Sequence, residues 1–449
     1  MIPTPRGSRV ARDAIVTLVR SGRATSRADI ARITGLSPTT VAARVGELMS
    51  QGYLQEGTAA PSRGGRPPRM LQMRPGAGTV VSIALGERHA AIGLYDAAGE
   101  EVTQHREPID IADGPEVVLR LVAERVKSMD DEHPTGGPLL AACIGIPGPV
   151  SSHSGRVVAP ARMPGWNGTD VQELIRPYLG VPVVVENDAN LMTLGEHAVS
   201  DDPVDDMVFI KVGSGIGSGI IARGVLHKGA HGFAGDISHV PVPDAPSVPC
   251  SCGRVGCLDA VASGSALVHA LAESGIQVRT TDDLLVLARD AHPQTTQILR
   301  AAGLNTGLVL ATIVNFFNPA RLVVGGNLSR ADAFVAGLRS ALYTQCPPMI
   351  TDGLHIVVSR TGQHAAVTGG AQAALDHAFS GSRDACEALD DSRDPVAEGR
   401  TRPRPASPTP PTAPGSGTRT PPASTPPPSS PGRPAGRSRT PPATPGSAF

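Results

Sequence analysis

The sequence predicts an α/β body carried behind a small, mainly helical head. Three observations lead there. First, the apolar runs LLAACIGI (139–146), VPVVVEN (181–187), DMVFIKVG (206–213) and ARLVVGG (320–326) read as buried strands. Second, amphipathic stretches such as PEVVLRLVAERVKSM (115–129) and ADAFVAGLRSALY (331–343) lie between them, an alternation that argues a mixed or mostly parallel sheet with helices packed on it. Third, residues 9–57 hold three short helical patterns with their own caps.

The head, residues 1–75, comes first. Ser26 is placed to cap a helix, with Asp29 at its third position answering the free amides. Gly35 supplies a left-handed turn, and Ser37 caps the next helix with Pro38 at its first position. In that helix Val41, Val45 and Leu48 share one face, at spacings of four and three. Helix, short glycine turn, helix is the helix-turn-helix layout. YLQEG, TAAPSRGGRPP and RMLQM then read as two short strands around an arginine-bearing tip, a wing.

Charge agrees with that layout. The 449-residue chain has a net charge of −1, but residues 1–75 hold 12 arginines, no lysine and 4 acids, a net +8. A basic head suits a polyanion. The face opposite Val41, Val45 and Leu48 carries Thr39, Ala43 and Gly46, small groups that let a helix lie deep in a major groove of double-stranded operator DNA. Ser37 and Thr40, at the helix start, are further candidate DNA contacts. Arg44 fits a phosphate contact, and Arg63 and Arg66 reach phosphates or a narrow minor groove.

The body, residues 76–380, is ordinary in bulk: apolar residues make up 40% of the chain and charged residues 18%. No apolar run is read as reaching membrane-spanning length, and MIPTPRGSRVARD lacks the apolar stretch of a signal peptide. The expectation is a cytoplasmic protein without membrane contact, whose thiols stay reduced. Residues 381–449 turn to Pro, Ser, Thr, Ala, Gly and Arg; such a tail cannot offset its ordering entropy and is expected to be disordered.

CSCGRVGCLD (250–259) holds three of the six cysteines within eight residues. In a reducing compartment this is a metal site rather than a disulfide framework. Cys250, Cys252 and Cys257 with His239 make one imidazole and three thiolates, a closed tetrahedral set suited to structural Zn²⁺. Cys143 reads as a core residue, and Cys346 and Cys386 show no ligand spacing.

Seven motifs follow in order: IGIPGPV (144–150), PGW (164–166), ENDANLMTLGE (186–196), VGSGIGSGIIARG (212–224), GDISHV (235–240), the cysteine cluster, and NPARLVVGGNLS (318–329). The set resembles the ROK family (repressors, open reading frames and kinases) over about residues 78–378. With the winged helix in front it resembles that family's sugar-responsive regulators. The resemblance implies a two-lobed, actin-like sugar-kinase (ribonuclease-H-like) fold with a lobe boundary near 195, a zinc site whose histidine also faces the sugar, and a homodimer or dimer of dimers. It assigns the sugar or sugar-derivative effector to Asn187, Asp188, Asp236, His239 and Asp259. Asp188 matches the general base of the kinases.

The pattern also departs from the kinases. Their phosphate loop has the form D-x-G-G-T; here Ala84 stands for the Asp, Glu87 for the second Gly and Arg88 for the Thr. A Glu side chain repels phosphates where a bare Gly would expose backbone amides. Ala161 replaces the usual Asn after Pro160, and Asp236 and Asp259 replace Glu. The reading is a repressor whose body has lost phosphoryl transfer. The alternatives are a sugar kinase that also binds DNA, and a platform that senses a partner protein.

Overall fold

The computed structural model describes residues 6–59, 69–135 and 137–379. The head consists of α1 (Arg6–Arg20), α2 (Arg27–Thr34) and α3 (Pro38–Ser50), then β1 (Leu54–Ala59) paired antiparallel with β2 (Arg69–Met73). The caps form as the sequence implies. Ser26 accepts from the Asp29 amide, Gly35 ends α2 at φ 70°, and Ser37 accepts from the Thr40 amide. Val41, Val45 and Leu48 are buried with Ile15 and Ile30. Ser37, Thr39, Thr40 and Ala43 are exposed. Arg44 is half-buried and paired with Glu47 at 2.7 Å. The wing tip with Arg63 and Arg66 lies outside the described residues, as do the tail 381–449 and Cys386.

The body holds two sheets of five strands. The first uses β3 (Thr79–Leu85), β4 (His89–Asp96), β5 (Glu101–Pro108), β6 (Leu139–Ile146) and β7 (Val183–Asn187) in the order β5-β4-β3-β6-β7. β3, β4 and β5 form an antiparallel meander, and β6 and β7 add in parallel. Between them run α4 (Pro115–Glu132) and α5 (Val171–Leu179), which bury Val118, Val122, Val171 and Ile175 on the sheet. After β7 the chain enters α6 (Asp188–Ala198) and then builds the second sheet from β8 (Met207–Val212), β9 (Ile216–Ala222), β10 (Val225–Leu226), β11 (Arg321–Gly325) and β12 (His355–Val358). Its order is β10-β9-β8-β11-β12, the same arrangement again.

Helices α7 (Leu258–Ala262), α8 (Gly264–Glu273), α9 (Thr281–Arg289) and α10 (Pro293–Phe317) precede β11, and α11 (Asp332–Gln345) and α12 (Pro348–Thr351) precede β12. The last helix, α13 (Ala365–Phe379), leaves the second sheet and packs back on β3 and β6 of the first. It stands after β12 as α6 stands after β7, and the two helices cross between the lobes.

One expectation from the sequence is corrected here. α10 is long and apolar enough to cross a membrane by length and composition. Half of its apolar stretch is buried. Gly303 and Gly307 seat it directly against the α11 backbone, and Leu299, Leu310 and Val314 lie in the second-lobe core. A one-sided apolar surface of this kind is satisfied by a neighbouring helix and sheet.

Candidate functional site

A cavity of about 370 Å³ lies between the lobes, bordered from both sides. From the first lobe come Gly86 and Glu87 of the β3–β4 turn, Pro147 and Gly148 after β6, Ala161 and Arg162, and the β7–α6 junction. From the second come Lys211, the glycine loop Gly213–Gly217, Asp236, His239 and Asp259. These are the ends of parallel strands, where α/β sheets bind ligands. All five residues assigned to the effector border this one cavity.

Their chemistry differs in detail from the sequence reading. Asn187 serves as the cap of α6: its Oδ1 accepts from the Ala189 amide at 2.9 Å and the Asn190 amide at 3.3 Å, while Nδ2 donates to the Gly148 carbonyl at 3.0 Å. Both ends of that amide are therefore engaged in holding the strand end. Asp188, buried at 8% exposure, forms an ion pair with Lys211 across the lobes. Asp236 accepts from the amide and hydroxyl of Ser238. Asp259 accepts from the Ile216 amide at 2.9 Å through Oδ1 and from Arg162 at 2.5 Å through Oδ2.

Sequence reasoning missed the cations that meet these acids. Lys211 is the one polar residue inside the run VFIKV, and Arg162 directly follows the Ala161 substitution; both were visible signals. Arg162 also reaches Glu87 at 3.1 Å. Burial works against its charge, but Asp259 and Glu87 hold its guanidinium proton more firmly than usual. Lys228 joins Glu186 in a third pair between the lobes. His89, at the start of β4, is pushed down to about 4, by burial first and then by Arg106 and Lys211. Asn190 is buried, donates to Glu186 at 2.9 Å, and its buried Oδ1 has no partner among the described residues.

The cysteine cluster lies beside the cavity and shares His239 with it. His239, Cys250, Cys252 and Cys257 bring one ligand atom each to within 4.8 Å of one another. Nδ1 of His239 is 3.4 Å from Cys250 Sγ, and the sulfurs of Cys252 and Cys257 are 3.6 Å apart. A tetrahedral Zn²⁺ with bonds of about 2.3 Å to sulfur has sulfur–sulfur edges of about 3.8 Å, so the donor set fits the ion. The loop turns through Gly253 and Gly256 at φ 84° and 68°, a backbone that a Cβ would strain. The backbone amide and then the side chain of Arg254 bring the Cys252 thiol down to about 6, toward the thiolate that a metal binds. Cys143 is a buried core thiol raised by burial, and Cys346 donates to the Ala311 carbonyl at 3.8 Å.

The last helix connects this cavity to the head. Glu196 of α6 is buried and accepts from the Ser359 and Thr361 hydroxyls at 2.8 and 2.6 Å and from the Arg360 amide at 3.0 Å. That pins the loop carrying Gly362 and Gln363, which borders the cavity and leads into α13. At the far end of α13, Gln372 and Asp376 hold Arg20 of α1. Tyr53, just before β1, meets Phe379 edge-on with centroids 6.0 Å apart.

A winged helix docked on the last helix of a duplicated two-lobed α/β body, with a ligand-sized cleft between the lobes, defines a regulator built on a sugar-kinase-like scaffold. Residues 80–377 match the ROK family and residues 14–55 match a winged helix-turn-helix DNA-binding domain. The chain belongs to the ROK family. It is 28% identical to the xylose repressor of Caldicellulosiruptor bescii over 371 residues, covering 79% of this chain and 92% of that one. It is 26% identical to the glucokinase of Halalkalibacterium halodurans, covering 65% of this chain and 93% of that one. A solved ROK family transcriptional regulator, a homologue of the E. coli MLC protein, superposes with a TM-score of 0.70 at 25% identity, covering 86% of this chain and 98% of that one.

Proposed function

We propose that the protein is a sugar-responsive repressor: the head binds operator DNA, and a sugar or sugar derivative in the inter-lobe cleft changes that binding. The observation that carries this reading is the continuous path from cavity to head, through the Glu196-pinned loop and α13 to Arg20. A repressor relative that extends over the head, and a kinase relative that covers only 65% of the chain, support the same reading.

The effector works by population shift. It must bind one arrangement of the lobes more tightly than the other, and operator affinity then follows by linkage. Asp236, Asp259 and His239 would supply its hydrogen-bond partners. Zn²⁺, held by His239, Cys250, Cys252 and Cys257, would cross-link the loop and fix the imidazole so that its other nitrogen faces the cleft. A protein that works on DNA this way acts in the cytoplasm, and two heads on one palindromic site call for a homodimer.

Phosphoryl transfer is not part of the proposal. Asp188, at the position of the kinase base, is engaged by Lys211, and Glu87 occupies the phosphate loop. With ATP and Mg²⁺, a coupled phosphorylation assay across pentoses, hexoses and N-acetylhexosamines is expected to stay at background. At least one of these sugars is expected to raise the melting temperature. Turnover abolished by Asp188→Asn would establish the kinase reading instead.

A further inference from the structure

Arg162 occupies the acid that the cleft would offer to a sugar. Its guanidinium extends from the first lobe to the second, with Nη2 on Asp259 at 2.5 Å and near Ser263 at 3.4 Å. Nη1 donates to Glu87 at 3.1 Å and lies 3.3 Å from Ser265. Asp259 Oδ1 is already taken by the Ile216 amide, so Arg162 holds the oxygen that remains. Guanidinium N–H groups and sugar O–H groups are donors competing for the same carboxylate lone pairs.

The charge around this point limits what can replace it. The Asp259 amide bonds the Ser238 carbonyl, and Ser238 holds Asp236. Of these acids, Asp259 bonds Arg162 directly, as does Glu87 from the first lobe. A carboxylate or phosphate taking the place of the guanidinium would face the carboxylates of Glu87 and Asp259. A pair of neutral hydroxyls would take over the donor role without changing the charge.

We propose that Arg162 is a displaceable strap, an internal competitor that joins the lobes across the unliganded cleft, and that the effector is an uncharged polyol whose vicinal hydroxyls displace it. Glu87 has a second role in this account. The residue that spoils the phosphate loop also anchors the strap. The inference rests on the sensor reading above and specifies its ligand class and its affinity-setting residue.

Calorimetric titration of the full-length, metal-replete protein with D-xylose, D-glucose, N-acetyl-D-glucosamine and D-glucuronate tests it, on the wild type, Arg162→Ala and Glu87→Gln. The neutral sugar that binds the wild type should bind Arg162→Ala about fivefold more tightly or better, with Glu87→Gln shifted in the same direction. Raising NaCl from about 50 to about 500 mM should tighten neutral-sugar binding by the wild type, because screening weakens the strap, and leave Arg162→Ala unchanged. A passive packing role for Arg162 would give no such salt effect. Binding that is weaker or equal in Arg162→Ala, or glucuronate binding better than glucose, overturns the strap while the sensor reading stands. If no sugar binds either the wild type or the variants, the sensor reading fails and the strap with it.

Discussion

At the residue scale, two side chains carry measurable consequences. Cys257 is fully buried among the other donors of the cluster, so Cys257→Ser removes a ligand that no neighbour replaces. Purified wild type is expected to hold one zinc per chain by metal analysis, and the variant to lose it together with thermal stability; equal metal content in the two would contradict the site. His89 gives a pH signature. Its ordinary value near 6.5 is lowered to about 4 in the folded protein, so between these values the unfolded chain binds the extra proton. Stability therefore falls as the pH drops from 6.5 toward 4. His89→Gln should flatten that part of the stability–pH curve measured by urea denaturation, by up to about one proton of slope. Parallel curves would show that His89 is not held neutral. The cysteine cluster was legible in the sequence because three donors fall within eight residues. The pairings of Arg162, Lys211 and Lys228 were not, because each meets its acid through the fold rather than through sequence spacing: Arg162 and Asp259 are 97 positions apart.

At the element scale, the crossing of α6 and α13 is the joint of the body. A Cβ on Gly369 would fall on the Leu191 carbonyl oxygen, and one on Gly195 on the Ala365 carbonyl oxygen. The two helices pack backbone to backbone there, which is the coupling that the proposed change of lobe arrangement would use. Gly369→Ala should destabilise the protein by about 1–3 kcal/mol in urea denaturation, the usual cost of overpacking; a change below a few tenths would mean that the crossing is loose. Short-range elements were readable from sequence: both of the caps read in the head rest on residues three apart, and β6, β7, β8 and β11 fall on the four apolar runs. The return of α13 to the first sheet was not readable. AAVTGGAQAALDHAF has small residues on several sides, and only the backbone contacts with α6 and the sheet explain them.

At the scale of the whole molecule, one strand order used twice gives two lobes, and the cleft lies where their strand ends face. Among the described residues, three ion pairs span it from lobe to lobe: Arg162–Asp259, Asp188–Lys211 and Glu186–Lys228. Two of these acids, Asp188 and Asp259, stand at positions the resemblance assigns to sugar or catalysis. The head meets the body through Arg20, whose guanidinium is brought down to about 10 by burial and is held by Asp376 and Gln372 on α13. The motifs forecast the scaffold and the head. They could not forecast this linkage, which joins residues more than 350 positions apart. The most direct measurement selects a duplex from a random library with the full-length protein and titrates that duplex against sugars in a mobility-shift assay. The account predicts a palindromic site whose affinity drops at least tenfold with one neutral sugar and is indifferent to ATP. Equal affinity for all duplexes, or a selected site that no sugar alters, would contradict it.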